Sequence, residues 1–539
     1  MKMNLSTLED KSFWNNAGIK LPEFSVNTMR ENTYENPVWV HFGAGNIFRA
    51  FIARLQQKLL NEGKEKCGII AADTFDYDIL DKIYEPFDNL SMLVLMNADG
   101  HLDKEIVASV AEGLKGDSSN EKDYGRLKEI ICKPGLQMLS FTITEKGYAL
   151  KDLDGSFFPV VTEDIQNGPS KPKHAMSVVT ALLYERFKAG AKPLAVVSMD
   201  NCSHNGEKLQ AGVLTVAHEW QKAGFVESEF VAYLEDENKI AFPWSMIDKI
   251  TPRPAGKVEE TLKKLGLEDM APIVTSRNTY IAPYVNAETP EYLVIEDKFP
   301  NGRPALEAAG VYMTDRDTVN NTERMKVTTC LNPLHTALAV YGCLLGYDSI
   351  AAEMQDAQLK KLVERIGFDE GMPVVVNPGI INPMDFIHEV IDLRLPNPYI
   401  PDTPQRIATD TSQKVAIRFG ETIKSYMENP KLDPSSLTYI PLALAGWCRY
   451  LLAVDDKGEV MELSSDPMLA QLTEKLAGVK LGDPASYQGN LKEILSNPVI
   501  FGVNLYEAGL GDKVEDMFLE LIAGPGAVRA ALMKYLPTV

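Results

Sequence analysis

The segment PVWVHFGAGNIFRAFIARLQQKLLNEG restricts what this chain can fold into more than any other. Val38 to Phe42 is an apolar run of strand length, Gly43 and Gly45 punctuate it, and Ile47 to Leu60 is amphipathic at helical spacing. Strand, glycine turn and helix are followed by a second apolar strand, Gly68 to Ala72, which ends in Asp73. SMLVLMNADG adds an edge or hairpin strand with a turn at Ala98–Gly100, and LQMLSFTITEKGY a strand leading into a loop. The helix pattern AMSVVTALLYERFKAG stops at Gly190, and the strand PLAVVSMDN and a helix starting near Glu207 come next. Strands alternating with helices predict an α/β, doubly wound (Rossmann-type), mostly parallel sheet.

At 539 residues the chain is too long for one ordinary domain. After FPNGRPALEAAGVYMTD the pattern becomes largely helical, in runs at 326–346, 349–367, 404–427, 437–454, 466–477, 487–497 and 513–536. Proline-rich joints such as LPNPYIPDTP separate them. The expected organisation is therefore an α/β domain over 1–320, with residues 1–36 as a polar N-terminal arm, and a mostly α-helical domain over 321–539. Residues 151–173 read as a surface loop.

A net charge of −21 argues against nucleic acid and anionic membrane surfaces as partners. It also means that an anionic substrate needs a locally basic pocket. The six cysteines form no CxxC pair and the seven histidines no HxH or HxxxH pair, so no metal is expected. The polar, acidic start lacks the apolar run of a signal peptide, and no stretch reaches the ~18 apolar residues of a membrane span. A cytoplasmic protein is the expectation.

Several segments could carry chemistry. In GAGNIFRA the glycine pair lets backbone approach a pyrophosphate at a helix N-terminus; Phe48 replaces the third glycine of the full motif, and Arg49 could contact phosphate instead. Asp73 at the strand end either binds a ribose diol, which favours NAD over NADP, or caps a turn. Asn201 in SMDNCSHNG either donates to a carbonyl or alkoxide oxygen or makes an Asx turn. Asp248 in FPWSMIDKITPRP either caps a turn or orients a ligand hydroxyl.

MKVTTCLNPLHTALAVYG brings Lys326, Asn332 and His335 to the start of an apolar helix, with Asn332 and His335 three apart on one face. A capped helix with a snorkelling lysine and a satisfied core histidine would look the same. In DTPQRIATDTSQK, Arg406 and Lys414 lie eight apart, about 80° around a helix. They are either a solvated face or a carboxylate or polyol clamp.

Taken together, GAGNIFRA, TITEKGY, SMDN, FPWSMIDKITP, VIEDKFPNGRPALEAAG, KVTTCLNPLH and DTPQRIATDTSQK resemble the polyol-specific long-chain (mannitol) dehydrogenase family. Its members include mannitol 2-dehydrogenase, fructuronate reductase and tagaturonate reductase. The resemblance runs from about residue 38 to 420 and implies a nicotinamide domain, a helical domain and a cleft between them. It implies metal-independent hydride transfer, with the catalytic lysine on Lys326 and oxyanion donors on Asn201 and Asn332. It puts Glu323 in proton passage and His335, Asp248, Arg406 and Lys414 on the substrate. The implied cofactor contacts are Gly43, Gly45, Asn46, Ile47, Arg49, Asp73, Thr144 and Glu145.

The chemistry is coherent on its own terms. Taking hydride from a secondary alcohol requires a base for the hydroxyl proton and donors for the oxygen, and burial beside cations and amides can bring a lysine into the working range. Two amides aimed at the oxygen would each contribute about 2–4 kcal/mol. The expected activity is NAD-dependent interconversion of D-fructuronate and D-mannonate by a monomer or small homo-oligomer. Tagaturonate/altronate or mannitol chemistry, and a non-catalytic NAD sensor, are the alternatives.

The sequence departs from the family at three points. Lys326 and Asn332 are six apart instead of five, Pro333 replaces a glycine, and Thr411 stands where glycine is usual. The extra residue predicts either a helix that starts late, near Asn332, or a one-residue π-bulge.

Overall fold

The structure, a computed structural model, describes residues 1–152 and 154–537. They form two compact units, Met1–Asn320 and Asn321–Val539.

The first unit is built on six parallel strands: β1 (Trp39–Phe42), β2 (Ile69–Asp73), β3 (Val110–Lys115), β4 (Met138–Phe141), β5 (Leu194–Ser198) and β6 (Ile240–Ala241). Their order is β3-β2-β1-β4-β5-β6, with every pairing parallel. That order reverses at β1, so the sheet opens at the C-terminal ends of β1 and β4, where ligands settle in open α/β folds. Every residue of β1, β2, β4 and β5 is buried, as a sheet covered on both faces requires.

The two faces follow the period-2 alternation of the strands. Val40, Phe42, Ile70, Ala72, Leu139 and Val196 face one core with Leu182, Leu209 and Trp220, which lie on helices α2 (Ala175–Lys188) and α3 (Asn205–Lys222). Trp39, Ile69, Ala71, Met138 and Val197 face the other, against Phe48, Phe51, Leu55 and Leu59. These last four come from the crossover, where a π-turn over Phe48–Ile52 feeds helix α1 (Ala53–Asn61).

Four expectations need correction here. The SMLVLM run is half of a hairpin, Ser91–Met96 with Leu102–Val107, but it belongs to a separate four-stranded sheet. The third strand of the parallel sheet is VAEGLK, an edge strand whose half-exposed side chains hide the pattern. Residues 1–36 are no free arm: helices Lys11–Asn16 and Val26–Glu35 and the strand Ile19–Lys20 pack on the unit, with Met3 and Trp14 fully buried. Within 151–173, where residue 153 lies outside the described residues, Pro159–Asn167 is helical. The buried Asp164 side chain there accepts from the backbone N–H groups of Lys173 (3.0 Å) and His174 (2.8 Å).

The second unit is helical; among its described residues, extended pairing is limited to isolated bridges. Its centre is α5 (Asn332–Leu345), which follows α4 (Arg316–Met325) after an irregular stretch. Gly342 of α5 lets the helix Ile350–Glu353 pack closely, since a Cβ there would stand 1.9 Å from Glu353 Oε1. The run expected as one helix over 404–427 is broken. It consists of α6 (Pro404–Ile407), a turn through Asp410 at φ 55°, a 3-10 turn, a π-turn over Ala416–Gly420, and α7 (Glu421–Glu428). Arg406 and Lys414 therefore do not share a helix. Pro383–Glu389, continued by a π-turn over Val390–Arg394, is a helix that the proline-rich sequence concealed.

Candidate active site

In the first unit the chemistry-bearing residues gather at the C-terminal ends of the parallel strands. Gly43 follows β1 at φ 106°, and its N–H donates to the Ala72 carbonyl at 2.8 Å. A Cβ there would stand 2.2 Å from the Thr142 carbonyl oxygen, so the position admits only glycine. At Gly45 a Cβ would meet nothing within 4 Å, which leaves open space beside the turn before the crossover helix.

Asp73 ends β2 and is buried. Its carboxylate accepts from the backbone N–H groups of Ala44 (3.0 Å), Phe75 (2.8 Å) and Asp76 (2.8 Å), bracing the glycine turn from the neighbouring strand. Burial pushes its pKa upward against those three bonds. The residue thus caps a turn whatever else it contacts. About four lone-pair directions serve a carboxylate, so roughly one stays open.

Arg49 is buried, and its guanidinium donates to the Ala282 carbonyl (2.8 Å) and Asn46 Oδ1 (3.0 Å). Burial lowers it to about 10. The bond to Ala282 ties the crossover to the residues just before the strand Tyr284–Glu288, a structural use that the sequence did not suggest. Phe48, in the place of the third glycine, stacks on His41 with ring centroids 4.4 Å apart. Asn46 and Ile47 open the helix and are half-buried.

The SMDN strand end holds a device that sequence reasoning missed. Asp200 accepts from the N–H groups of Ile143 and Thr144, both at 2.9 Å, and from Tyr148 Oη at 2.5 Å. It thereby pins the TITEKGY loop, with Thr144 at φ 64°, to the end of β5 beside Asn201. Asn201, Thr144 and Glu145 are exposed at this edge, and Glu145 ion-pairs with Lys208. The signal was an acid at a parallel-strand terminus, one residue before the asparagine that drew attention. Asp248 is buried at the end of the strand Ser245–Asp248, opposite Tyr292 in a three-stranded sheet, not in the parallel one.

In the second unit Lys326 is 2% exposed and opens a π-turn over Lys326–Cys330, closed by the Leu331 N–H donating to the Lys326 carbonyl at 3.1 Å. Leu331 then departs from helical geometry (φ −132°, ψ −62°), and α5 begins at Asn332 with Pro333 in its first turn. Both accommodations expected for the extra residue are present: a π-turn and a helix that starts at Asn332. Glu323, on α4 one turn before the lysine, is half-buried.

Asn332, His335, Arg406, Ile407, Lys414 and Arg418 line a pocket of about 150 Å³. Asn332 and His335 come from the first turn of α5, Arg406 from α6, Lys414 from the residue after the 3-10 turn Thr411–Gln413 and Arg418 from the π-turn before α7. Buried Asp402 organises one side: it accepts from Arg406 Nε at 2.8 Å and stands 2.7 Å from Arg406 Nη2 and 3.4 Å from His335 Nε2. Burial raises Asp402, and Arg406 opposes the rise.

Lys414 donates to the Thr409 and Ile407 carbonyls, the latter at 3.5 Å, and is lowered by burial and by the neighbouring Arg418 and Arg406. Thr411, the residue in place of a glycine, is buried with its hydroxyl on the Ala408 carbonyl at 2.7 Å, so the turn that presents Lys414 tolerates it. Arg418 was absent from the sequence reading. Its signal was a second cation four residues after Lys414, a spacing at which like charges repel and need a reason.

The comparisons bear on the whole chain. Residues 38–308 match the mannitol dehydrogenase Rossmann domain and residues 318–520 the mannitol dehydrogenase C-terminal domain. The chain is 57% identical over 534 residues to the D-mannonate oxidoreductase of Thermotoga maritima, covering 99% of this chain and 98% of that protein. Two solved structures share the fold at 24% identity. A substrate-free D-sorbitol dehydrogenase has a TM-score of 0.80, covering 99% of this chain and all of the other. Pseudomonas fluorescens mannitol 2-dehydrogenase in a ternary complex with NAD and D-mannitol has a TM-score of 0.71, with both chains fully covered. With both of its domains matched and a near-full-length relative at this identity, the chain belongs to the mannitol dehydrogenase family.

Proposed function

We propose that the protein is an NAD-dependent secondary-alcohol dehydrogenase that interconverts D-fructuronate and D-mannonate, with Lys326 as acid and base and without a metal. The observation that carries the sugar-acid reading is the cation-lined pocket at the start of α5, in a chain whose net charge is −21. The 57% identity to a D-mannonate oxidoreductase points the same way.

The first unit fits a dinucleotide. The glycine turn, the open space at Gly45 and the acid at the end of β2 match what a pyrophosphate and an adenosine ribose require. Gly43, Gly45, Asn46 and Ile47 would hold the pyrophosphate, Asp73 the ribose through its remaining lone pair, and Thr144 and Glu145 the nicotinamide end. Arg49 supports the turn through Asn46. Bound NAD supplies the hydride acceptor.

The chain's own residues would do the rest. Lys326 takes the proton from the substrate hydroxyl on oxidation and returns it to the nascent alkoxide on reduction. The family resemblance gives oxyanion donation to Asn201 and Asn332, and onward proton passage to Glu323. His335, oriented by Asp402, contacts hydroxyls, a role the family resemblance gives Asp248 as well, and Arg406 and Lys414 add positive potential for a carboxylate. The presence of Lys326, Asn201, Asn332 and His335 together in the sequence favours an enzyme over an NAD sensor, which needs no base.

Lys326→Ala tests the chemistry. Turnover should fall by at least about three orders of magnitude while NADH affinity, measured by fluorescence titration, stays within about twofold. Turnover near the wild-type level would remove the lysine from its role. Tagaturonate and altronate differ from the proposed pair in stereochemistry alone, and assays with both pairs distinguish them.

A further inference from the structure

Each cation of the α5 pocket has different company. Arg406 is already neutralised by Asp402 and its side chain is 65% exposed. Lys414 spends its ammonium on two backbone carbonyls. Arg418 stands apart: among the described residues a single hydrogen bond, from Nη1 to the neutral Thr336 hydroxyl at 2.6 Å, holds its guanidinium, and no carboxylate pairs with it. Thr336 is itself fixed, its hydroxyl donating to the Asn332 carbonyl at 3.0 Å. The guanidinium is therefore indexed to the turn that carries Asn332 and His335. Burial without an acidic partner lowers Arg418 to about 10.

We propose that Arg418 is the specificity-determining residue of this pocket, pairing with the carboxylate of a sugar acid and so discriminating against the neutral polyol or keto sugar of the same length. The inference rests on the reading of this pocket as the substrate site. Arg406 and Lys414 then supply the hydroxyl contacts and the general potential.

The physical case is one of missing partners. A half-buried guanidinium with four of five donors uncommitted is costly to keep, and the like charge at Lys414 adds to that cost. A carboxylate supplies the missing charge and accepts two parallel N–H bonds in the planar geometry a guanidinium presents. A hydroxymethyl group does neither, so a neutral sugar would leave the cation unpaired inside a filled pocket. Sites that lose the partner of a buried polar group discriminate by several orders of magnitude.

The test compares wild type, Arg418→Leu and Arg418→Lys by kcat/KM for fructuronate and for fructose, with NADH affinity and melting temperature as controls. For Arg418→Leu we expect kcat/KM for fructuronate to fall at least about 100-fold while that for fructose is unchanged or rises, with NADH affinity unchanged. Arg418→Lys should recover part of the uronate activity and remains informative if the leucine variant does not fold. Equal losses on both substrates, or a uronate preference kept in both variants, would overturn the inference. Wild type preferring fructose would instead overturn the sugar-acid reading itself.

Discussion

At the residue scale, two buried carboxylates brace backbone that a cofactor would touch. Asp73 holds the glycine turn and Asp200 holds the TITEKGY loop, each by two or three N–H bonds. Asp73→Ala removes the acid at the end of β2 and the three hydrogen bonds it accepts. The NAD/NADP ratio of kcat/KM should fall by about tenfold or more, and the melting temperature should drop as three N–H groups lose their partner. A loss of stability with an unchanged ratio would leave Asp73 as a turn brace alone.

Asp73, Lys326 and Asn332 were legible as candidates because each interrupts an apolar pattern at an element end. Asp200 and Arg418 were not, because their significance lies in the partners they have or lack, and partners are brought together by the fold. Arg406 shows the converse. As a sequence feature it was a candidate carboxylate clamp, yet the structure pairs it with Asp402, a residue whose place beside it no spacing revealed.

At the scale of elements, α5 is positioned by a departure from regular helix on one side and by a missing side chain on the other. The π-turn at Lys326–Cys330 re-aims the lysine relative to Asn332, and the extra residue between them was the sequence's signal that regular geometry could not hold. Gly342 lets the helix Ile350–Glu353 approach. On helix propensity alone Gly342→Ala would stabilise by about 1 kcal/mol. The added methyl would stand 1.9 Å from Glu353 Oε1 and 2.9 Å from Pro404 Cγ, so overpacking should win and the variant should lose about 1–2 kcal/mol net by chemical denaturation. A more stable variant would show that the contact relaxes at little cost.

The parallel strands were readable because a sheet covered on both faces needs continuous apolar runs. The edge strand Val110–Lys115 and the short turns between Pro404 and Gly420 were not. An edge strand carries polar residues, and a broken helix keeps the composition of an intact one.

For the whole molecule, burial of charge sets a pH dependence. Glu353 is fully buried, neither of its side-chain oxygens has a hydrogen-bond partner among the described residues, and burial, with Asp402 and Asp356 nearby, raises it from 4.5 to about 9. The folded protein therefore keeps a proton there that the unfolded chain releases above its ordinary pKa. Glu353's contribution is full below about pH 4.5 and is lost as pH rises, at about 1.4 kcal/mol per pH unit until about pH 9. Glu353→Gln carries no such proton, so its stability relative to wild type should improve steadily between pH 5 and 8.5 in denaturant titrations. A difference that is flat across that range would mean that Glu353 is already ionised in the folded state.

The net charge of −21 made a basic pocket conspicuous once the fold of the helical unit assembled one. A pocket that serves a sugar acid discriminates against the neutral sugar in kcat/KM. NADH oxidation by the purified protein, with kcat/KM measured for fructuronate and for fructose under identical conditions, tests it most directly. The uronate should be preferred by at least about two orders of magnitude; equal rates, or a preference for fructose, would contradict it.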